Sequence, residues 1–251
     1  GEARGLTEAQ ALEAAFHLIA DRNPLPAACG WLCPHHCETG CTREPYDGAV
    51  SVNQVERAVA EAAIRASWRL QRLDPVPGAP PVTVVGAGAA GLSAAYQLAR
   101  RGIAVTLTDV HAEPGGELRY GLDDARLPRA VLDAEIGRIL ALGVTFAGGA
   151  DLGAVEAGAA RVVRTKVYEP GTPVATGAIA AAVHFGRHAA MLLVAELTGT
   201  APSVPRRLPG VEKARVQADY HLHQPRGEAT GETWAPAFAI AEARRCLSCG
   251  A

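Results

Sequence analysis

Residues 82–91 read Val-Thr-Val-Val-Gly-Ala-Gly-Ala-Ala-Gly, a β-branched apolar run that passes directly into G-x-G-x-x-G. In that context each glycine has a physical task. Gly86 allows the tight turn, Gly88 lets the backbone approach a pyrophosphate, and Gly91 lets strand and helix pack closely. The N-terminus of the helix that follows, expected to run through Leu98, stabilises the negative charge. A second strand over 104–108 ends in Asp109, eighteen residues beyond Gly91 and near where an acidic residue takes ribose hydroxyls. The stretch therefore predicts a doubly wound, Rossmann-like α/β domain with strands at 82–85, 104–108, 144–146 and, as a fourth candidate, 162–167. The fingerprint alone does not separate FAD from NAD. Glu113-Pro114-Gly115-Gly116 and Leu118-Arg119-Tyr120-Gly121 supply a second backbone-exposing segment, and such a segment can run along an extended FAD.

Upstream, Asp74-Pro75-Val76-Pro77-Gly78-Ala79-Pro80-Pro81 can continue neither helix nor central strand, so it marks a boundary. Before it lies helical sequence. Thr7 and Gln10 have capping-box spacing at the start of a helix over 8–20, which Asn23-Pro24 closes, and 52–73 reads as a longer amphipathic helix with Val55, Val59, Ala62 and Ile64 toward a core. Between the two helices, Cys29, Cys33, Cys37 and Cys41 recur at a constant C-x3-C-x3-C-x3-C spacing. Disulfides at such short separations are crowded and disfavoured in a reducing compartment. Structural zinc is the serious rival, although zinc sites favour two close pairs of cysteines with a longer insert between them. An iron–sulfur cluster is larger than one ion and draws its thiolates from a compact irregular loop, which Pro34 and Gly40 permit, so the spacing points first to a [4Fe–4S] cluster. His35 and His36 read as solvated loop residues rather than ligands. A further Cys-x-x-Cys, Cys246 and Cys249, lies beside the last residue of the sequence.

The 251 residues are 49% hydrophobic and 20% charged with a net charge of −2, which argues against disorder. Twenty-four Lys+Arg against 26 Asp+Glu leave no basic excess for a nucleic-acid backbone. The apolar stretches 178–183 and 189–197 are interrupted by His184, Arg187 and Glu196, and residues 1–10 carry neither part of a secretory signal. A soluble, cytoplasmic protein is the expectation. Twenty-seven glycines beside five Tyr, four Phe and one Met leave room in the interior for a cofactor, though a GC-rich coding bias gives the same composition.

Taken together, the chain resembles the FAD-containing small subunit of glutamate synthase and the N-terminal half of dihydropyrimidine dehydrogenase. Asn23-Pro24-Leu25-Pro26 followed by CGWLCPHHCETGC is similar to the family's cluster segment; VTVVGAGAAGLSAAYQLARRGIAVTLTD, PGGELRYG and Arg126-Leu127-Pro128 are similar to its FAD half, in order. The resemblance implies that Cys29, Cys33, Cys37 and Cys41 hold a [4Fe–4S] cluster. It also implies that Gly86, Gly88, Ala89, Ala90, Gly91, Asp109, Gly116, Glu117, Leu118, Arg126 and Gly177 surround FAD. More loosely, 178–197 resembles the helix that returns beside the flavin, and Glu242-Ala243-Arg244-Arg245-Cys246-Leu247-Ser248-Cys249-Gly250 the start of another ferredoxin-like motif, of which two cysteines are present. A partner completes it, the chain has been shortened, or the pair is a relic.

The departures are equally specific. Members of the family carry a second dinucleotide domain, for NAD(P)H, between the two FAD halves, and no second G-x-G-x-x-G lies between Val144 and Gly177. The Gly-Asp pair expected before the returning helix is replaced by Pro173-Val174-Ala175-Thr176-Gly177, and Asp123 stands where a proline is expected. The expected organisation is a helical cluster domain (1–74), an FAD domain (82–200) and a C-terminal arm (201–251). The leading function is an electron-transfer subunit of a larger oxidoreductase complex, exchanging electrons between FAD and iron–sulfur centres with partner subunits and without nucleic acid or membrane insertion. No Ser/His/Asp or paired-carboxylate constellation argues for side-chain catalysis. The alternatives are an NAD(P)H-dependent oxidoreductase of the glutamate synthase type and a redox-silent assembly subunit.

Overall fold

The computed structural model describes residues 5–171, 178–201 and 236–245. Gly177, Cys246, Cys249 and, of the expected C-terminal arm at 201–251, all but residues 201 and 236–245 lie outside the described residues.

The chain opens with helix α1 (Glu8–Ala20), whose capping box forms as expected: Gln10 N–H donates to Thr7 Oγ1 at 3.3 Å and Thr7 N–H to Gln10 Oε1 at 2.9 Å. Proline at its first position starts α2 (Pro26–Leu32), followed by two single turns, α3 (His36–Thr39) and α4 (Glu44–Asp47), and by α5 (Val52–Arg65). The helix expected over 52–73 thus ends eight residues early. Ser67 adopts a left-handed φ of 54° and Trp68 N–H returns to Ala63 O at 3.0 Å, which closes the helix. The stretch beyond is not a free linker, because Leu73 and Val76 donate their N–H groups to Arg100 O (2.6 Å) and Arg101 O (2.9 Å).

The second half runs β1 (Val82–Val85), α6 (Ala89–Ala99), β2 (Val105–Thr108), α7 (Glu117–Tyr120), α8 (Arg129–Leu140), β3 (Thr145–Ala147), α9 (Leu152–Gly158) and β4 (Val162–Arg164). Two more helices, α10 (Ala178–Thr198) and α11 (Pro236–Arg244), follow. The four strands form one parallel sheet in the order β3-β2-β1-β4, with Val82 opposite Val105 and Thr83 opposite Val162. All four predicted strands are present. The order reverses between β1 and β4, and in open parallel sheets a ligand crevice forms at such a switch point, beyond the carboxyl ends of the strands.

Every residue of α6 is buried, because the sheet covers one side and α10 another. The approach of α10 is close: a Cβ on Gly186 would lie 1.9 Å from Ala90 O, and Ser93 Oγ donates to Val183 O at 2.8 Å. Among the described residues α10 is the one helix long and apolar enough to cross a membrane, with a mean hydropathy of 1.5. Its contacts show that the fold uses it as a packing helix. The core does not divide at the proline stretch: Leu12, Phe16, Leu25 and Cys29 belong to the same buried cluster as Val84, Leu92 and Leu107.

Candidate functional site

At the switch point lies an open cleft with about 100 Å3 of accessible space, lined by Gly88, Ala89, Ala90, Glu117, Leu118, Arg126, Lys166, Tyr168, Ala178 and Ile179 among others. Gly86 takes a φ of +94°, which disfavours any side chain, and a Cβ on Gly91 would stand 1.6 Å from Gly86 O. A Cβ on Gly116 would lie 2.8 Å from Gly88 Cα, so the second glycine segment presses against the first. Gly115 N–H fastens them together by donating to Ala87 O at 2.8 Å. The N-cap of α6 is Gly88, with no side chain to accept the first-turn N–H groups, and Ala89 and Ala90 of that turn line the cleft. Uncapped amides, the positive end of a helix and the cations Arg126 and Lys166 form a donor set that fits a pyrophosphate.

Asp109 has a more occupied carboxylate than its expected ribose contact suggests. It is fully buried; Oδ2 accepts Ala87 N–H at 2.7 Å, and Oδ1 accepts His111 N–H at 3.0 Å and His111 Nδ1–H at 2.7 Å. Asp109 therefore braces the glycine turn, and of about four acceptor directions on an ionised carboxylate one remains for a hydroxyl. The His111 ring stacks on Tyr120 with centroids 4.4 Å apart and lies 6.1 Å from Tyr168.

The four cysteines lie on one helix–turn–helix–turn. Cys29 is inside α2; Cys33 is its C-cap and donates its N–H to Cys29 O at 2.8 Å. His35 then takes a left-handed φ of 60°, which breaks the path and starts α3, carrying Cys37; Cys41 follows, its N–H donated to Glu38 O at 3.0 Å. Cys29 is buried, Cys33 and Cys41 half-buried and Cys37 exposed. Among the described residues no three His, Cys, Asp or Glu side chains converge as one metal ion requires. Four thiolates around a single zinc would need sulfurs about 4 Å apart, given Zn–S bonds of about 2.3 Å. Burial, reinforced by the charge of Glu56, pushes the Cys29 thiol well above its ordinary pKa, so a cation must compensate before this thiolate is stable in place.

Two neighbours shape the loop. Gly30 allows α5 to pass against α2, since a Cβ there would fall 2.5 Å from Arg57 Cβ. Arg57 in turn lies 3.6 Å over the Trp31 ring. Asn53 holds the loop from α5, with Nδ2 donating to Cys29 O at 3.4 Å and its N–H to Glu38 Oε1 at 3.2 Å.

Of the residues singled out by sequence for the flavin, Gly88, Ala89, Ala90, Glu117, Leu118 and Arg126 meet at the cleft, while Gly86, Gly91 and Gly116 shape the turns beneath it. Leu32, Lys166, Tyr168 and His111 were missed. The position of Lys166 and Tyr168 just after a strand that pairs with β1 is the signal that finds them, since the crevice opens at strand ends. Leu32, between Cys29 and Cys33, lines the same cleft as the fingerprint.

The family described as dihydropyrimidine dehydrogenase domain II, 4Fe-4S cluster, matches residues 5–68, and the NAD(P)-binding Rossmann-like domain matches residues 84–133. Subunit PreT of the NAD-dependent dihydropyrimidine dehydrogenase of Escherichia coli K12 is 37% identical over 137 residues, 53% of this chain and 32% of PreT. UacF of the same organism is 37% identical over 145 residues, 57% of this chain and 22% of UacF. The aligned segment thus spans a third or less of each of these relatives. Among solved structures, the 6-hydroxypseudooxynicotine amine oxidase of Pseudomonas geniculata N1 overlaps 44% of this chain and 18% of its own at 25% identity, with a TM-score of 0.32. The chain thus carries a segment similar to the 4Fe-4S domain II of dihydropyrimidine dehydrogenase followed by one similar to an NAD(P)-binding Rossmann-like domain, and it resembles oxidoreductases such as PreT and UacF over about half of its length.

Proposed function

We propose that this chain is an FAD- and [4Fe–4S]-containing electron-transfer unit of a larger cytoplasmic oxidoreductase complex. The observation that carries the reading is Leu32: the helical turn joining the first two cysteines forms a wall of the cleft that the glycine fingerprint opens. A cluster held by Cys29, Cys33, Cys37 and Cys41 would then adjoin a flavin held by the cleft. FAD supplies exchange between two-electron and one-electron chemistry, and the cluster carries single electrons. The residues of the chain bind and orient. The first-turn amides of α6, with Arg126 and Lys166, take the pyrophosphate; Asp109 braces the turn and offers its remaining acceptor direction to the ribose. Glu117 and Leu118, held in place by the turn at Gly116, would border the flavin, and Ala178 and Ile179 at the start of α10 line the cleft. The relatives' names, which include a dehydrogenase subunit, support a partner-dependent role.

The test is anaerobic purification with iron, sulfide and flavin quantitation, followed by spectral titration with NADH, NADPH and dithionite. About four irons and one FAD per chain are expected, with reduction by dithionite and none by nicotinamide alone. Bleaching by NADH or NADPH would show a nicotinamide site in this chain and replace the proposal with the dehydrogenase reading. A preparation with neither iron nor flavin would sink both.

A further inference from the structure

The boundary between the cluster segment and the dinucleotide half contains a carboxylate that cofactor binding leaves unexplained. Glu135, on α8, has a relative exposure of 0%. Its Oε1 accepts Ala27 N–H at 2.7 Å and its Oε2 accepts Ala28 N–H at 2.9 Å. These are first-turn amides of α2, the helix that carries Cys29 and ends at Leu32 in the cleft wall. The N-cap of α2, Leu25, has no side-chain acceptor, so the acceptors come from a residue more than a hundred positions downstream.

A local Ser, Thr or Asp at position 25 would cap α2 without burying a distant charge. A carboxylate in a dry interior costs several kcal/mol unless well paired, and the pairing here is sparing. Arg138, one helical turn further along α8, leaves both terminal guanidinium nitrogens without hydrogen-bond partners and lies 5.1 Å over the Phe16 ring. The half-buried carboxylate of Glu56 adds repulsion rather than relief. What the arrangement gains is registration. Two bonds from the two oxygens of one carboxylate to consecutive amides fix α2 against α8 in both position and rotation, and α8 belongs to the half that builds the cleft.

We propose that Glu135 is a positioning residue for electron exchange, fixing α2, and with it Cys29 and Leu32, at working distance from the dinucleotide cleft. The inference rests on the function proposed above. Electron exchange falls steeply with separation, so a small shift of α2 slows it even when both cofactors remain bound.

The experiment compares the full wild-type chain with Glu135→Gln and Glu135→Asp, each purified anaerobically and normalised to its iron and flavin content. The flavin is photoreduced by a flash with EDTA as the sacrificial electron donor and the arrival of the electron at the cluster is followed by absorbance, with the spin-resonance spectrum of the reduced cluster recorded alongside. Glu135→Gln keeps an acceptor for one amide but sets an NH2 against the other. It is expected to retain flavin and slow exchange at least tenfold, with an altered cluster spectrum. Glu135→Asp keeps both acceptors one methylene short and is expected to fall between the two. If Glu135→Gln does not load with iron, Glu135→Asp carries the comparison. A plain helix cap predicts lower thermal stability with unchanged exchange in the loaded fraction, and that result overturns the proposal. A wild-type chain that holds both cofactors but never passes an electron between them defeats the functional reading itself, which distinguishes the two failures.

Discussion

Burial pushes the pKa of Glu135 up to about 7 from the usual 4.5, despite the amide bonds from Ala28 and Ala27 that pull it down. Between those values the folded chain binds more protons than the unfolded chain, so stability falls as pH rises through this window. The full span corresponds to about 3 kcal/mol. Denaturant unfolding of the purified chain from pH 5 to pH 8 is expected to show this decline, and Glu135→Gln, which cannot ionise, to flatten it. An equal slope in both proteins would assign the pH dependence elsewhere. Cys29 makes a second expectation at this scale. Replacing it with Ala removes the one buried thiol of the quartet, so iron content should fall to background while bound flavin, measured by its absorbance, stays near wild type. Loss of both together would contradict separate binding sites. The quartet was legible because its spacing is local, whereas Glu135 was not: its partners are backbone amides of Ala27 and Ala28, invisible to any motif, and the contact spans most of two domains. Asp109 was found by position. Its ties to Ala87 and His111 depend on how the loop after β2 folds back, which no spacing rule contains.

Between elements, glycine decides two contacts. Gly186 lets α10 rest on the first turn of α6, and the atom its Cβ would meet is the backbone oxygen of Ala90, which cannot turn aside as a flexible side chain can. Gly186→Ala is therefore expected to cost about 1–3 kcal/mol by overpacking and to move Ala178 and Ile179 relative to the cleft. Flavin affinity, measured by equilibrium titration of the apoprotein, should weaken severalfold; an unchanged affinity would show that α10 moves without disturbing the site. Gly30 has the corresponding role between α2 and α5, where the obstruction includes Arg57 Cα at 2.9 Å, and its replacement by Ala should reduce iron retention rather than flavin retention. The sequence reading anticipated α1, α6 and all four strands, since capping box, fingerprint and β-branched runs act over a few residues. It overextended α5 because the helical pattern continues past Arg65, while a tertiary choice, the left-handed Ser67 and the return of Trp68 to Ala63, ends the helix.

At the scale of the whole molecule, the proline-rich stretch marks a boundary in the sequence, yet one buried core runs across it among the described residues. Gln97 and Arg100, at the end of α6, donate to Asp21 O at 3.0 and 3.2 Å, which satisfies the carboxyl end of α1 from the other half of the chain. Arg100 also meets the Asp21 carboxylate at 3.1 Å, with its own side chain only 3% exposed. Phe16 and Leu25 share a core with Leu92 and Leu107, and the strand-like segment before β1 is bonded to the residues that close α6. No layer of solvated surface separates the halves, so neither can open without exposing the other's interior. Unfolding should then be one cooperative transition rather than two. Trp31 and Trp68 both lie in the cluster half, whereas far-ultraviolet circular dichroism reports helices and strands of both, so with the third tryptophan, Trp234, replaced by Phe the two signals together test the point. Coincident midpoints in denaturant are expected, and saturating FAD should move both by the same amount, because a ligand that binds only the folded state stabilises whatever unfolds with its site. If the fluorescence midpoint stayed fixed while the dichroism shifted, the halves would unfold separately, and a fixed distance between cluster and cleft would lose its structural basis.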